Sequence, residues 1–525
     1  MFNAPTHEIQ QIAILGGGTA GWMTAAALAQ LLPKQCFSIV LVESESIGTV
    51  GVGEATLPHL RFFNQRLGID EAEFIQATQA TFKVGIEFSN WGQLGDAYIH
   101  PFGDYGKALD DIPFHQHFYA QHGTNPDANL DQYSLPVMAC KAQKFAFPDV
   151  NDTSVKSSYS YAYHIDASRY ASFLRDFAEQ RKVERIEGMV TDVVTRVSDG
   201  AIQALNMKDG RRIEADFFID CSGFRGQLIE QTLHAGYEDW SHWLPCNRAV
   251  AIPCEQTQQP LPYTKAIARE AGWQWQIPLN HRVGNGYVYC AQYIDQQQAL
   301  DRLLQSLPGK PTAEPNHLRF LTGKRKVSWS HNCVAIGLSS GFLEPLESTS
   351  IYLIQAAIMK LVELIPQRAN LAVKAKEYNR HFDHEMERIR DFLILHYHAT
   401  ERDDTDFWNY CRTMSIPQSL SDKMALYAHC GVIEDYRYGL FLVPSWLSVY
   451  HGQRIRPLHL DPRIPANRVG TVREQLLAME STIAQVVEQM PSHSYYLTKI
   501  HNNTNPKDAI SPHRPAQFSL YGGRQ

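Results

Sequence analysis

Hydrophobic periodicity divides the chain into a strand-rich part and a helix-rich part. QQIAIL (10–15) reads as a short buried strand, and MTAAALAQLL (23–32) as an Ala/Leu-rich helix that Pro33 ends. SIVLVES (38–44) predicts the next strand, so the chain opens on a β-α-β unit. A Gly-bearing loop follows over 45–60, and residues 61–90 read as helical. Residues 100–165 are rich in aromatics, His, Asp and Pro and show no clear period. SRYASFLRDFAEQ (168–180) predicts an amphipathic helix, and 189–197, 201–207 and 211–219 predict strands. DFFIDCSGFRG (216–226) reads as a strand and a tight turn, and WQWQIP (273–278) and GYVYCAQY (286–293) alternate as strands do. CVAIG (333–337) predicts a buried strand and SIYLIQAAIMKLVELI (350–365) a helix. Beyond 374 the pattern is mainly helical, with TVREQLLAMESTIAQVVEQM (471–490) as the last helix and 501–525 as a polar, mobile tail. There is no internal repeat and no obvious linker. The expected division is therefore 1–370 and a mainly helical 371–525, fused into one body.

Composition narrows the class. Of 525 residues, 44% are hydrophobic and 20% charged, which is ordinary globular composition and excludes a disordered chain. A net charge of -7 makes nucleic acid a poor partner. No apolar run reaches the roughly 18 residues that a membrane span needs. The 9 cysteines are scattered without CxxC or zinc spacing, so a reduced, cytoplasmic protein without a metal site is the simplest reading. The N-terminus carries no secretion-signal pattern.

Gly16-x-Gly18-x-x-Gly21 lies between the first predicted strand and helix. Glycine there allows a tight turn, close approach of backbone to pyrophosphate, and close helix–strand packing. The helix N-terminus, at Thr19 and Ala20, then offers free N–H groups to phosphates. Glu43 ends the second strand, where an acidic side chain accepts ribose hydroxyls. The competing reading is a purely structural glycine turn. DCSG (220–223) and CVAIG (333–337) resemble the later FAD-contacting strands of flavoprotein monooxygenases, and no second GxGxxG offers an NAD(P)H site.

Four segments then coincide. WQWQIP matches the W-x-W-x-I-P signature of flavin-dependent halogenases, through Trp273, Trp275, Ile277 and Pro278. TFKVGIEFSNW, holding Lys83, resembles the family's catalytic-lysine segment; FLEPLESTSIY (342–352) resembles its E-S-T-G-I segment; GVGEAT (51–56) also matches. The chain is identified as a member of the tryptophan halogenase family over most of 10–450. The resemblance implies an α/β, FAD-dependent monooxygenase-like fold. Its parts are a Rossmann-type βαβ dinucleotide module, a mixed β-sheet substrate platform and a mainly helical C-terminal part. FAD contacts carry over to Gly16, Gly18, Thr19, Ala20, Gly21, Glu43, Ala55, Val190, Leu338 and Ile351. Hypohalous acid made at the flavin is relayed by Lys83, as a hydrogen-bonded guest or as a haloamine. Taken alone, Lys83 would be a solvated surface charge, but Phe82 and Val84 on either side suggest burial, which lowers an amine pKa. Glu347 is the matching carboxylate, expected to orient the lysine and remove the ring proton; taken alone it is a helix-dipole partner. Ser348 and Thr349 are candidate caps of the helix that follows. The halide is expected at backbone groups of Thr349 and Ser350. Many relatives have glycine where Ser350 stands, and serine resists backbone conformations that glycine accepts. The Trp273, Trp275 and Ile277 face is a family marker beside the flavin–substrate tunnel, or plain core packing.

His100 and Phe102 resemble the H-x-F pair that stacks on indole; the alternative is a loop histidine. The segment from Leu420 to Trp446 is short for a substrate lid, so an open site and indole or a larger indole-bearing substrate are expected. The resemblance also implies FADH2 from a separate, diffusively coupled flavin reductase, dioxygen, chloride or bromide, and a homodimer. Two other functions share these residues. A flavin-dependent aromatic hydroxylase would not need Lys83, and a non-catalytic FAD-binding protein would need neither Lys83 nor Glu347.

Overall fold

The computed structural model describes residues 9–45, 53–123, 125, 128–149, 154–365, 367, 370–436, 439–464 and 469–502. The predicted opening unit forms as Gln11–Leu15, Thr19–Leu31 and Ser38–Glu43. The two strands pair in parallel, Ile14 opposite Leu41. They are the centre of a six-stranded sheet that runs Trp329–Ser330, Cys333–Ala335, Phe217–Asp220, Gln11–Leu15, Ser38–Glu43, Glu184–Glu187. All its pairs are parallel except the first. The central strands carry apolar residues on both faces because both faces are covered, as parallel sheets require.

A seven-stranded, mainly antiparallel sheet stands beside it, ordered Asn316–Arg319, Arg248–Cys254, Val283–Tyr289, Gly272–Pro278, Tyr263–Arg269, Gly85–Ser89, Ala97–Pro101. A small third sheet joins them. Its middle strand, Ala162–Asp166, pairs with Gly53–Ala55 on one side and Thr81–Lys83 on the other. Ala55 thus lies opposite His164, and Lys83 opposite Ala162. One apolar cluster runs from Ile9, just ahead of the first strand, to Ile500 in the C-terminal helices.

Several boundaries differ from the sequence reading. Residues 61–90 are not one helical stretch. Helices His59–Leu67 and Glu71–Thr78 are separated by left-handed Gly68 and by Asp70, whose carboxylate caps the second helix. The alternating TFKVGIEF that follows forms the strands Thr81–Lys83 and Gly85–Ser89. Likewise 211–219 is two strands, Arg212–Glu214 and Phe217–Asp220, in different sheets. Between them, the Asp216 carboxylate accepts the backbone N–H groups of Gln10 and Gln11. The helix predicted at 471–490 runs Val469–Gln489 and is followed by another, His493–His501. The expected tail lies, from 503 on, outside the described residues, as do Gly51 and Val52 of the GVGEAT motif.

Candidate active site

A cavity of about 690 Å³ opens at the C-terminal end of the first β-α-β unit, where ligands of open α/β sheets bind. Gly16, Gly18, Thr19 and Ala20 line it, with Glu43, Ala55 and Val190. Leu338 and Ile351 line its other wall. Gly16 has φ +115, and a Cβ there would stand 2.3 Å from the Cys221 carbonyl oxygen. Gly18 is the N-cap of Thr19–Leu31 without a side-chain cap, and a Cβ on it would meet nothing within 4 Å. The helix's first amides are left for a ligand. Gly21 does not line the cavity. A Cβ there would lie 1.8 Å from the Gly16 carbonyl oxygen, so its part is close packing. Glu43 is partly engaged: Arg185 Nε donates to it at 2.5 Å and Trp22 Nε1 at 3.3 Å.

Trp273, Trp275 and Ile277 line the same cavity from the face of one strand. Pro278 ends that strand, and its carbonyl accepts the Thr81 hydroxyl at 2.6 Å, which ties it to the lysine strand. Trp273 Nε1 donates at 2.9 Å to Glu344, as does the Tyr397 hydroxyl at 2.9 Å. Burial pushes the Glu344 carboxyl up to about 7.

The segment 343–351 separates the cavity from a buried polar cluster. Leu343, Leu346, Ser350 and Ile351 face the cavity. Glu347 and Ser348 belong to the cluster behind them. Lys83 is fully buried; its Nζ donates to Ser348 Oγ at 2.8 Å and to the Thr56 carbonyl at 3.1 Å. The amine stands 4.9 Å from the centre of the Phe102 ring. Burial pushes its pKa down to about 7, against the opposing pull of the Glu347 charge. Glu347, also fully buried, accepts His100 Nδ1 at 2.8 Å and has His396 Nε2 at 2.9 Å. Burial alone would raise this carboxyl; the two imidazoles outweigh it and hold it at about 2. His100 sits on the strand Ala97–Pro101 rather than in a loop, and its Nε2 meets Ser445 Oγ at 2.8 Å.

Three expectations change. The lysine is held by Ser348 and Thr56, whereas Glu347 is held by the two histidines. Ser348 makes no side-chain cap on Thr349–Glu363, because its hydroxyl is turned to Lys83. The backbone strain expected at Ser350 falls on Ser348, at φ 60 and ψ 34; Ser350 is helical, so serine fits there. Thr349 is buried, and its hydroxyl has no partner among the described residues. Sequence reasoning missed His396, Ser445 and Glu344. Ser445 and Glu344 lie within segments that the sequence singles out, Leu420 to Trp446 and FLEPLESTSIY; His396 had no signal beyond a helical pattern.

A dinucleotide cradle and a buried lysine–carboxylate cluster, parted by one segment, define a flavin-dependent enzyme of the halogenating class. Comparison with known proteins agrees: the model of the family "Tryptophan halogenase" matches residues 11–468, and the chain belongs to that family. It is 38% identical over 455 residues to the tryptophan 6-halogenase ThaL of Streptomyces albogriseolus, covering 83% of each chain. It is 34% identical to the tryptophan 7-halogenase RebH of Lentzea aerocolonigenes, over 80% of this chain and 82% of that one. The structure of BrvH, a flavin-dependent halogenase from Brevundimonas sp. BAL3, superposes with a TM-score of 0.90 at 43% identity, covering 94% of this chain and 99% of that one.

Proposed function

We propose that the chain places chloride or bromide on an electron-rich aromatic ring (indole, tryptophan or an indole-bearing molecule), with Lys83 relaying the halogen. One observation carries this reading: a fully buried amine with a pKa near 7, one peptide segment away from the dinucleotide cavity. The cavity fits FAD. Its glycine turn and uncapped helix start would hold the pyrophosphate, and the Trp273–Trp275–Ile277 face would back the ring system. When bound in reduced form, delivered by a separate reductase, the flavin supplies hypohalous acid from dioxygen and halide.

The residues of the chain do the rest. A neutral amine has two N–H groups and one lone pair, and Lys83 has two acceptors, Ser348 Oγ and the Thr56 carbonyl. Its lone pair is thereby free to take the halogen. The N–halogen bond forms, the O–halogen bond breaks, and the hydroxide leaves as water with a proton of the amine. The aromatic carbon then takes the halogen, Glu347 removes the ring proton, and that proton returns to the nitrogen. Phe102, Phe392 and Phe441 surround His100 at centroid distances of 6.5, 5.8 and 6.2 Å, so the imidazole stands in an aromatic cluster of the kind that electron-rich rings pack against. ThaL and RebH are named for tryptophan, whereas BrvH is named only as a halogenase. Indole and larger indole-bearing molecules therefore stand beside tryptophan as candidates.

Lys83→Ala tests the reading. It should bind FAD as the parent does and lose halogenated product by at least about a hundredfold, since activated nucleophiles act as units. Normal product from this variant would sink the relay.

A further inference from the structure

Glu347 is a carboxylate without exposure, and a buried charge needs a counter-charge. Lys83 is a poor one, because its amine is held toward the neutral form by burial. His100 does not have to be one: Nδ1 donates to Glu347, and Nε2 can accept from the Ser445 hydroxyl, so a neutral ring satisfies both contacts. His396 is different. Its Nδ1 lies 2.8 Å from the Phe392 carbonyl oxygen, which can only accept, so Nδ1 carries a proton. Its Nε2 lies 2.9 Å from Glu347 Oε1, close enough for an ion pair though without hydrogen-bond alignment. A bare Nε2 lone pair at that distance from a carboxylate oxygen would be repelled. Phe88 and Phe392 pack the ring at 4.7 and 5.0 Å, so it cannot turn away.

We propose that His396 is held as an imidazolium and is the positioning residue that keeps the Glu347 carboxylate charged and aimed as a proton acceptor. The inference rests on the halogenase reading only for its consequence in turnover. The groups facing Glu347 are His100 and Tyr98 from Ala97–Pro101, His396 from Leu371–His398, and Lys83 from Thr81–Lys83. Of the two imidazoles, His396 has a carbonyl and a carboxylate against its ring nitrogens, whereas His100 has a carboxylate and a hydroxyl that can donate.

Two experiments test it. In the first, His396→Gln removes the charge and keeps an N–H donor. Removing a cation raises the proton affinity of the remaining cluster, so the acid limb of the kcat/KM profile for halogenation should move up by about one pH unit or more, while flavin oxidation is unchanged. A rate loss uniform across pH would overturn the proposal, because packing alone predicts that. The second covers the case in which this variant does not fold, and needs no flavin, halide or substrate. In 15N-histidine spectra of the full chain between pH 6 and 8, one ring should carry protons on both nitrogens, and Glu347→Gln should convert that ring to the neutral form. A spectrum with no such ring would overturn the proposal. Absence of halogenated product from the parent chain would instead count against the halogenase reading and leave the spectroscopic result standing.

Discussion

At the scale of single residues, the two central ionisable groups are displaced in opposite senses, and each leaves its own pH signature. A buried ammonium at Lys83 is penalised, fully below about pH 7, and the penalty is relieved as pH rises toward the ordinary 10.5. Lys83→Met should therefore melt above the parent near pH 6, with the advantage shrinking by roughly 1 kcal/mol per pH unit above 7. Melting curves from pH 6 to 10 check this; a gap that widens with pH contradicts it. Glu347 is held at about 2, below its ordinary 4.5, so its contribution is complete above about pH 4.5 and fades as pH falls toward 2. Glu347→Gln should cost about 3–5 kcal/mol at neutral pH, the cost of breaking a buried pair. The deficit should narrow below pH 4.5 in denaturant titrations. The same variant should bind FAD, since Glu347 lies behind the cavity wall.

At the scale of elements, the glycine turn and the wall segment carry the design. In Gly21→Ala the new methyl would meet the Gly16 carbonyl oxygen at 1.8 Å, forcing the helix off its strand. FAD affinity should fall by tenfold or more in a fluorescence titration, whereas Gly18→Ala, with open space at its Cβ, should be milder. Equal losses would mean that the backbone approach at Gly18, not the packing at Gly21, limits binding. Elements with a local signature were legible in the sequence: the strand–glycine–helix opening, the period-two Trp273–Trp275–Ile277 face, and the Thr349–Glu363 helix. The lysine strand was not, because Phe74, Ile75 and Phe82 continue an apolar pattern that fits a helix until Gly68, Asp70 and left-handed Gln79 are seen to break it. His396 was illegible for a different reason. Its chemistry depends on where a long helix crosses Glu347, and a tertiary crossing leaves no period or spacing in sequence.

At the scale of the whole molecule, the first sheet holds the dinucleotide cavity and the second carries the tryptophans on one strand and His100 on its edge strand. The C-terminal helices then close the site by supplying His396 and Ser445. That closure is aromatic: Phe441 stacks on Phe392 at 4.0 Å, and Trp446 meets Phe392 edge-on at 5.1 Å. Phe441→Ala should raise kcat/KM for bulky indoles several-fold relative to indole itself, measured by competition between the two; an unchanged ratio would place substrate entry elsewhere. Among the described residues no helix is long and apolar enough to cross a membrane. The most direct test of the account is product mass spectrometry with FAD, a flavin reductase, NADH, and chloride or bromide, run on indole and tryptophan with the parent chain and Lys83→Ala. The account predicts a halogen isotope pattern on an indole product from the parent and none from the variant. A hydroxylated product, or halogenation that survives loss of Lys83, would contradict it.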